Sequence, residues 1–245
     1  ITGITVGESP VWLKRRLLAV GLRPLNAVVD LSNYIMLETG QPTHCFDLDK
    51  LLNKAVVVRF ARRGERIVTL DEVERELYPD MLVIADSERP VAIAGVMGGV
   101  NTAISSSTTS VFLECAYFDP PLIRRASRRL GLSTEASYRF ERGADIGALE
   151  KVSRFAASQI AELCGGSILA GSIESYPVPY RPQSVRFRPE RVNRVLGTKI
   201  EPHAMEKILL TLGFGIGKDA DVKRSEQMWV EPPSFRPDVS REEDL

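Results

Sequence analysis

Between Ala55 and Tyr117 the chain is broken into six short β-rich runs, at 55–60, 65–70, 74–77, 81–85, 91–94 and 111–117, with Gly, Asp and Pro between most of them. No run of that length buries an apolar face alone, so the segments have to share sheets. Helical patterns lie on either side. The expected class is therefore α+β: a mixed-sheet domain with flanking helices, followed by a small winged-helix-like α/β domain.

The helical segments carry clear end signals. Ser9 as cap and Pro10 as first helical residue start one that Gly21 ends, with Leu13, Leu17 and Val20 on one face. A second covers Leu31 to Leu37 and stops near Gly40. Asp119-Pro120-Pro121 begins a third, closed by Gly131, and Asp145 begins a fourth that runs to Gly165-Gly166. Ser167 to Ser175 reads as a further strand. Tyr176-Pro177-Val178-Pro179-Tyr180-Arg181-Pro182 favours an extended, stiff connection, which places a domain boundary between 1–178 and 179–245. Beyond it come a strand at 184–187, helices at 189–196 and 202–212, and strands around 215–217 and 228–230, the winged-helix pattern.

Composition narrows the class of function. Basic and acidic residues both number 32, so binding to a polyanion would need a local patch. The densest one is Arg124-Arg125-Ala126-Ser127-Arg128-Arg129, which either tracks a phosphate backbone or forms a solvated face paired with Glu135, Glu141 or Asp145. Cys45, Cys115 and Cys164 lack Cys-x-x-Cys spacing and read as reduced thiols in a cytoplasmic protein. His44 and His203 stand alone, which argues against a metal site. No apolar stretch approaches the ~20 residues of a membrane span, and no signal peptide is expected. The chain opens without Met and stops on an acidic helical pattern, as a fragment of something larger would.

The most informative residue is Glu114. It is the only charge in Val111-Phe112-Leu113-Glu114-Cys115-Ala116-Tyr117-Phe118. A carboxylate in such a strand is costly unless neighbours satisfy it or a ligand donates to it. Ala94-Gly95-Val96-Met97-Gly98-Gly99 would let a ligand approach backbone N–H groups, or would simply form a turn; its spacing suits neither dinucleotide nor ATP. Ser32, Asn33 and His44 can meet at one rim through a helix and the Gly40-Gln41-Pro42 turn. There they bind a polar substrate or orient a water, unless His44 only tidies the turn. Cys45 follows His44, but neighbours in an extended segment point apart, so a cysteine nucleophile is not expected.

Taken in order, these segments resemble the bacterial phenylalanyl-tRNA synthetase beta-subunit family. The likeness is carried by Arg23 to Asp30, Gly40 to Leu48, Ala94 to Gly99, Phe112 to Pro120, Ser133 to Asp145, Pro189 to Gly197 and Pro233 to Asp238. It implies an editing module that hydrolyses tyrosine wrongly esterified to the phenylalanine tRNA, joined to the subunit's small fifth domain. In that case Glu114 takes the tyrosine hydroxyl, and Gly98, Gly99, Ala136 and Ser32 help bind substrate. His44, Asn33 and Thr134 would assist the hydrolysis. Cys45 and Tyr138 depart from the family pattern, where Ala and His are more usual. The resemblance further implies the phenylalanine tRNA, the alpha subunit and the remaining beta-subunit domains as partners in an alpha2-beta2 heterotetramer. No cofactor belongs to this part, ATP and magnesium serving aminoacylation elsewhere in the parent enzyme. A non-catalytic, RNA-binding or scaffolding role is the alternative.

Overall fold

The computed structural model describes residues 1–217 and 228–245. Its contacts divide the chain into two units, 1–144 with 148–173, and 145–147 with 174–245. In chain order the larger unit contains α1 (Val11–Ala19), α2 (Ala27–Thr39), β1 (Thr43–Asp47), β2 (Val57–Phe60), β3 (Arg66–Val68), β4 (Glu74–Glu76), β5 (Leu82–Ala85), β6 (Pro90–Ile93), β7 (Met97–Gly98) and β8 (Val111–Cys115), followed by α3 (Pro120–Leu130), α4 (Glu135–Phe140) and α5 (Leu149–Cys164).

All strand pairings among the described residues are antiparallel, whereas a mixed sheet was expected. Short turns account for β3-β4, β5-β6 and β6-β7, since a parallel pair needs a long crossover, whereas β1-β8, β2-β5 and the pair Val185–Phe187 with Met228–Glu231 are antiparallel across long connections. The order β2-β5-β6-β7 forms a four-stranded sheet, β3-β4 a hairpin, and β1-β8 a two-stranded ribbon made of segments far apart in sequence.

That ribbon has two working faces. Cys45 packs with α1 and α2 residues such as Leu13, Leu17 and Leu31, and Leu113 and Cys115 pack against Ile35, Val152 and Ala156. On the other face, Phe46 joins the core of the four-stranded sheet with Val83, Val91 and Ile93. The period-2 alternation of a strand thus separates a helical layer from a sheet layer.

Local chemistry explains the helix ends and corrects the sequence reading at four points. Ser9 does not cap α1; its hydroxyl donates to the buried Asp30 carboxylate, which also accepts from the Leu25 N–H. Val20 falls beyond the last turn of α1 and is 58% exposed, unlike Leu13 and Leu17. The helix expected from Asp145 begins only at Leu149, because the Asp145 carboxylate accepts from Gly147 N–H and holds a turn there. α2 starts earlier than expected, where the Asn26 side chain accepts from Val29 N–H, and ends at Gly40 with φ 75°. The strand expected at 167–175 is absent: Ser167 makes a single bridge to Thr2, and Ile173 is 97% exposed with no ladder to join.

The smaller unit contains β9 (Val185–Phe187), α6 (Pro189–Leu196), α7 (Pro202–Thr211), β10 (Gly215–Gly217) and β11 (Met228–Glu231). Its sheet runs β10-β11-β9, and Phe187, Met205, Leu209, Phe214 and Val230 close a core of its own. Both helices carry Pro in their first turn, where its missing N–H costs nothing.

Candidate functional site

The β1–β8 register puts His44 directly opposite Glu114. Opposed residues of an antiparallel pair share a face, so imidazole and carboxyl point to the same side, toward the four-stranded sheet. Between them and the turn after β6 lies a cavity of about 80 Å³, whose lining includes Thr43, His44, Gly98, Glu114, Met97 and Ala136.

The Glu114 side chain has no hydrogen bond or ion pair among the described residues, although it is half-buried in this wall. Loss of water raises its carboxyl to about 8. Burial acts on His44 in the opposite sense and lowers the imidazole to about 4. At neutral pH the cavity therefore presents an uncharged imidazole and a largely protonated carboxyl. A carboxylic acid both donates and accepts, which suits a ligand hydroxyl better than a ligand anion. The His44 ring lies edge-on to Phe46 at 4.4 Å between centroids and makes no hydrogen bond among the described residues.

The other sequence-derived candidates divide into two groups. Gly98 and Ala136 reach the cavity beside His44 and Glu114; Ser32, Asn33, Gly99 and Thr134 lie outside its lining. Ser32, on α2, donates its hydroxyl to the Thr43 carbonyl and lies 3.0 Å from the Thr43 hydroxyl, so it anchors the start of β1 next to His44. Thr134 donates to the Val96 carbonyl at 2.8 Å and accepts from Ser137 N–H at 3.0 Å. Its hydroxyl thus caps α4 and ties that helix to the turn between β6 and β7. Gly99 faces inward, where a Cβ would stand 2.9 Å from the Val91 carbonyl. Asn33 is half-buried on α2 and makes no side-chain hydrogen bond among the described residues.

Thr43, Met97 and Phe140 also line the cavity, and sequence reasoning did not single them out. Thr43 and Met97 lay inside the segments flagged for His44 and the glycines, so proximity was a usable signal. Phe140 comes from α4, which the sequence reading missed.

The remaining candidates resolve simply. Cys45 faces the helical layer, and burial, with Cys164 and Glu114 nearby, pushes its thiol to about 12. It is no nucleophile. The α3 arginines belong partly to local pairing: Arg129 stacks 3.6 Å over Tyr78 and pairs with Asp80, while Arg124 donates to the Glu141 carbonyl. Arg139 pairs with Glu135 and Arg142 with Glu141. Among the described residues no three His, Cys, Asp or Glu side chains gather as a metal site, and no helix is long and apolar enough to cross a membrane.

Residues 1–165 match the B3/4 domain family and residues 185–245 the tRNA synthetase B5 domain. The phenylalanine–tRNA ligase beta subunit of Carboxydothermus hydrogenoformans is 45% identical over the whole chain, and that of Moorella thermoacetica 47%. The chain spans 30% of the length of each. A solved N-terminal fragment of the phenylalanyl-tRNA synthetase beta subunit from Pyrococcus horikoshii, 13% identical, overlays 89% of this chain and 62% of its own with a TM-score of 0.40, too low to carry an argument. On the two domain matches and the identity across this chain's own residues, the chain belongs to the phenylalanine–tRNA ligase beta-subunit family, in the part built from a B3/4 domain and a B5 domain.

Proposed function

We propose that the larger unit is a proofreading site that hydrolyses tyrosine esterified to the phenylalanine tRNA. The observation that carries this reading is an unpaired carboxyl, Glu114, facing the same cavity as a neutral imidazole, His44. Tyrosine differs from phenylalanine by one hydroxyl. A pocket built to hydrogen-bond that hydroxyl rejects the analogue lacking it by roughly 10⁴ to 10⁵, because its polar group is then left unpaired. Editing needs that sense of selectivity, since it must clear tyrosine and spare phenylalanine.

Hydrolysis needs a directed water and stabilisation of the oxyanion. The neutral His44 imidazole can accept from a water or donate toward the ester oxygen. Asn33, outside the cavity lining, is given a share of that task by the family resemblance alone, and Thr134 supports it by holding the glycine turn. A cavity of about 80 Å³ is roughly half of what houses a benzene-sized ring in an apolar site, ~150 Å³. A phenol ring enters by displacing a wall side chain, and unbranched, half-buried Met97 is the most adaptable. No resident cofactor is required for this step; ATP and magnesium belong to aminoacylation elsewhere in the parent enzyme. The smaller unit is read as winged-helix-like. Docked with the alpha subunit in an alpha2-beta2 heterotetramer, the assembly would present the tRNA acceptor end to the cavity.

The test uses the parent ligase. Glu114→Ala and His44→Ala are expected to leave tyrosyl-tRNA uncleared while phenylalanine charging continues. Normal clearance by both variants would refute the proposal.

A further inference from the structure

We infer that Gly98 is a positioning residue, whose missing side chain is the slot occupied by the His44 imidazole. A Cβ built on Gly98 would stand 2.6 Å from His44 Cε1 and 2.8 Å from its Nε2, both impossible contacts. Conformation does not demand glycine here. Gly98 pairs with Ala92 inside an ordinary antiparallel ladder, and its φ is outside the left-handed region. Space is the reason for the glycine.

Nor can the backbone retreat from an added methyl group. The Gly98 carbonyl accepts from Leu70 N–H at 3.0 Å, and Gly99 N–H donates to Val91 at 2.8 Å. Upstream, Thr134 holds the Val96 carbonyl. With the strand tied at three points, the ring is what must move. An imidazole is commonly oriented by a hydrogen bond on one of its nitrogens. His44 makes none among the described residues, so packing sets its direction: Gly98 on one side and the edge-on ring of Phe46 on another. The glycine wall therefore acts on the reaction through the histidine.

This inference deepens the proofreading reading, and its decisive measurements need no activity. The 245-residue chain carries two histidines, so a His203→Asn background leaves one imidazole to observe by NMR. His203 is a surface side chain, 90% exposed. In that background Gly98→Ala is expected to shift the His44 ring resonances and lower Tm. Unchanged ring resonances in a folded Gly98→Ala protein would overturn the inference. The second arm is a thermal cycle. His44→Ala vacates the slot, so Gly98→Ala added to it is expected to cost far less Tm than it does alone. Equal losses in the two backgrounds would overturn the seat, and should Gly98→Ala alone fail to fold, a double variant that also fails to fold overturns it. In the parent ligase, Gly98→Ala is expected to lower tyrosyl-tRNA clearance in the wild type and to have no further effect beside His44→Ala. If the NMR and thermal cycles succeed while clearance is unaffected by either substitution, the seat stands and the proofreading reading fails.

Discussion

At the scale of single residues, Glu114 and His44 tie the site to pH. The folded Glu114 carboxyl sits at about 8, above its ordinary 4.5, so folding takes up a proton between those values. Its contribution is fully present below about 4.5 and is lost as pH rises through about 8. His44 runs the other way: held at about 4 against 6.5, it supports the fold above 6.5 and loses that support as pH falls through 4. Glu114→Gln is therefore expected to reduce the loss of stability between pH 5 and 9, by on the order of 1–3 kcal/mol, in urea titrations at both ends. Thr134 gives a second residue-level prediction. Thr134→Val removes a helix cap and the tie to Val96 while preserving shape, at an expected cost of about 1–2 kcal/mol. Thr134→Ser should retain most of it, and chemical denaturation of the pair decides.

At the scale of elements, glycines separate strain from space. Gly131 ends α3 at φ 62° with nothing near its absent Cβ, so Gly131→Ala costs only backbone strain, about 1 kcal/mol. Gly95 has nearly the same φ, 67°, but a Cβ there meets Ile123 at 2.9 Å and Phe118 at 3.0 Å. Gly95→Ala should cost more, because strain and a core clash add. Comparing the two by thermal unfolding isolates the packing contribution. The α1–α2 junction depends on a buried polar knot. Ser9→Ala leaves the Asp30 carboxylate one donor short and is expected to cost about 1–3 kcal/mol.

At the scale of the whole molecule, each unit has its own apolar centre. The smaller one is reinforced by Glu242, which accepts from the Arg188 backbone and guanidinium and from Arg191. Glu242 is 10% exposed, so the pairs are less screened than surface ion pairs. Glu242→Ala is expected to melt the surroundings of Trp229 earlier, while Trp12, in the larger unit, reports an unchanged transition. Single-tryptophan variants read the two separately. Simultaneous, equal shifts would mean that the units unfold as one.

How much of this was legible from residue order follows from the range of the forces involved. Helix ends marked by Pro and Gly, such as 120–131 and 189–197, were readable because caps and left-handed φ are local requirements. So were most of the short strands between 55 and 117, whose turns are written beside them, although β1 was not foreseen and the strand expected at 167–175 is absent. Glu114 announced itself as a charge in an apolar strand, a conflict visible without coordinates. What could not be read was pairing. β1 and β8 are joined across more than sixty residues, and only their register sets His44 against Glu114. The same contact turned Gly98 from an open wall into a slot filled by a ring, and a separate one, from α4 to the Val96 carbonyl, makes the Thr134 hydroxyl a tie. Local propensity and composition marked most of the elements and where an unpaired acid would be costly. Tertiary packing decided which side chains meet, because steric exclusion and desolvation act between residues that sequence distance does not bring together.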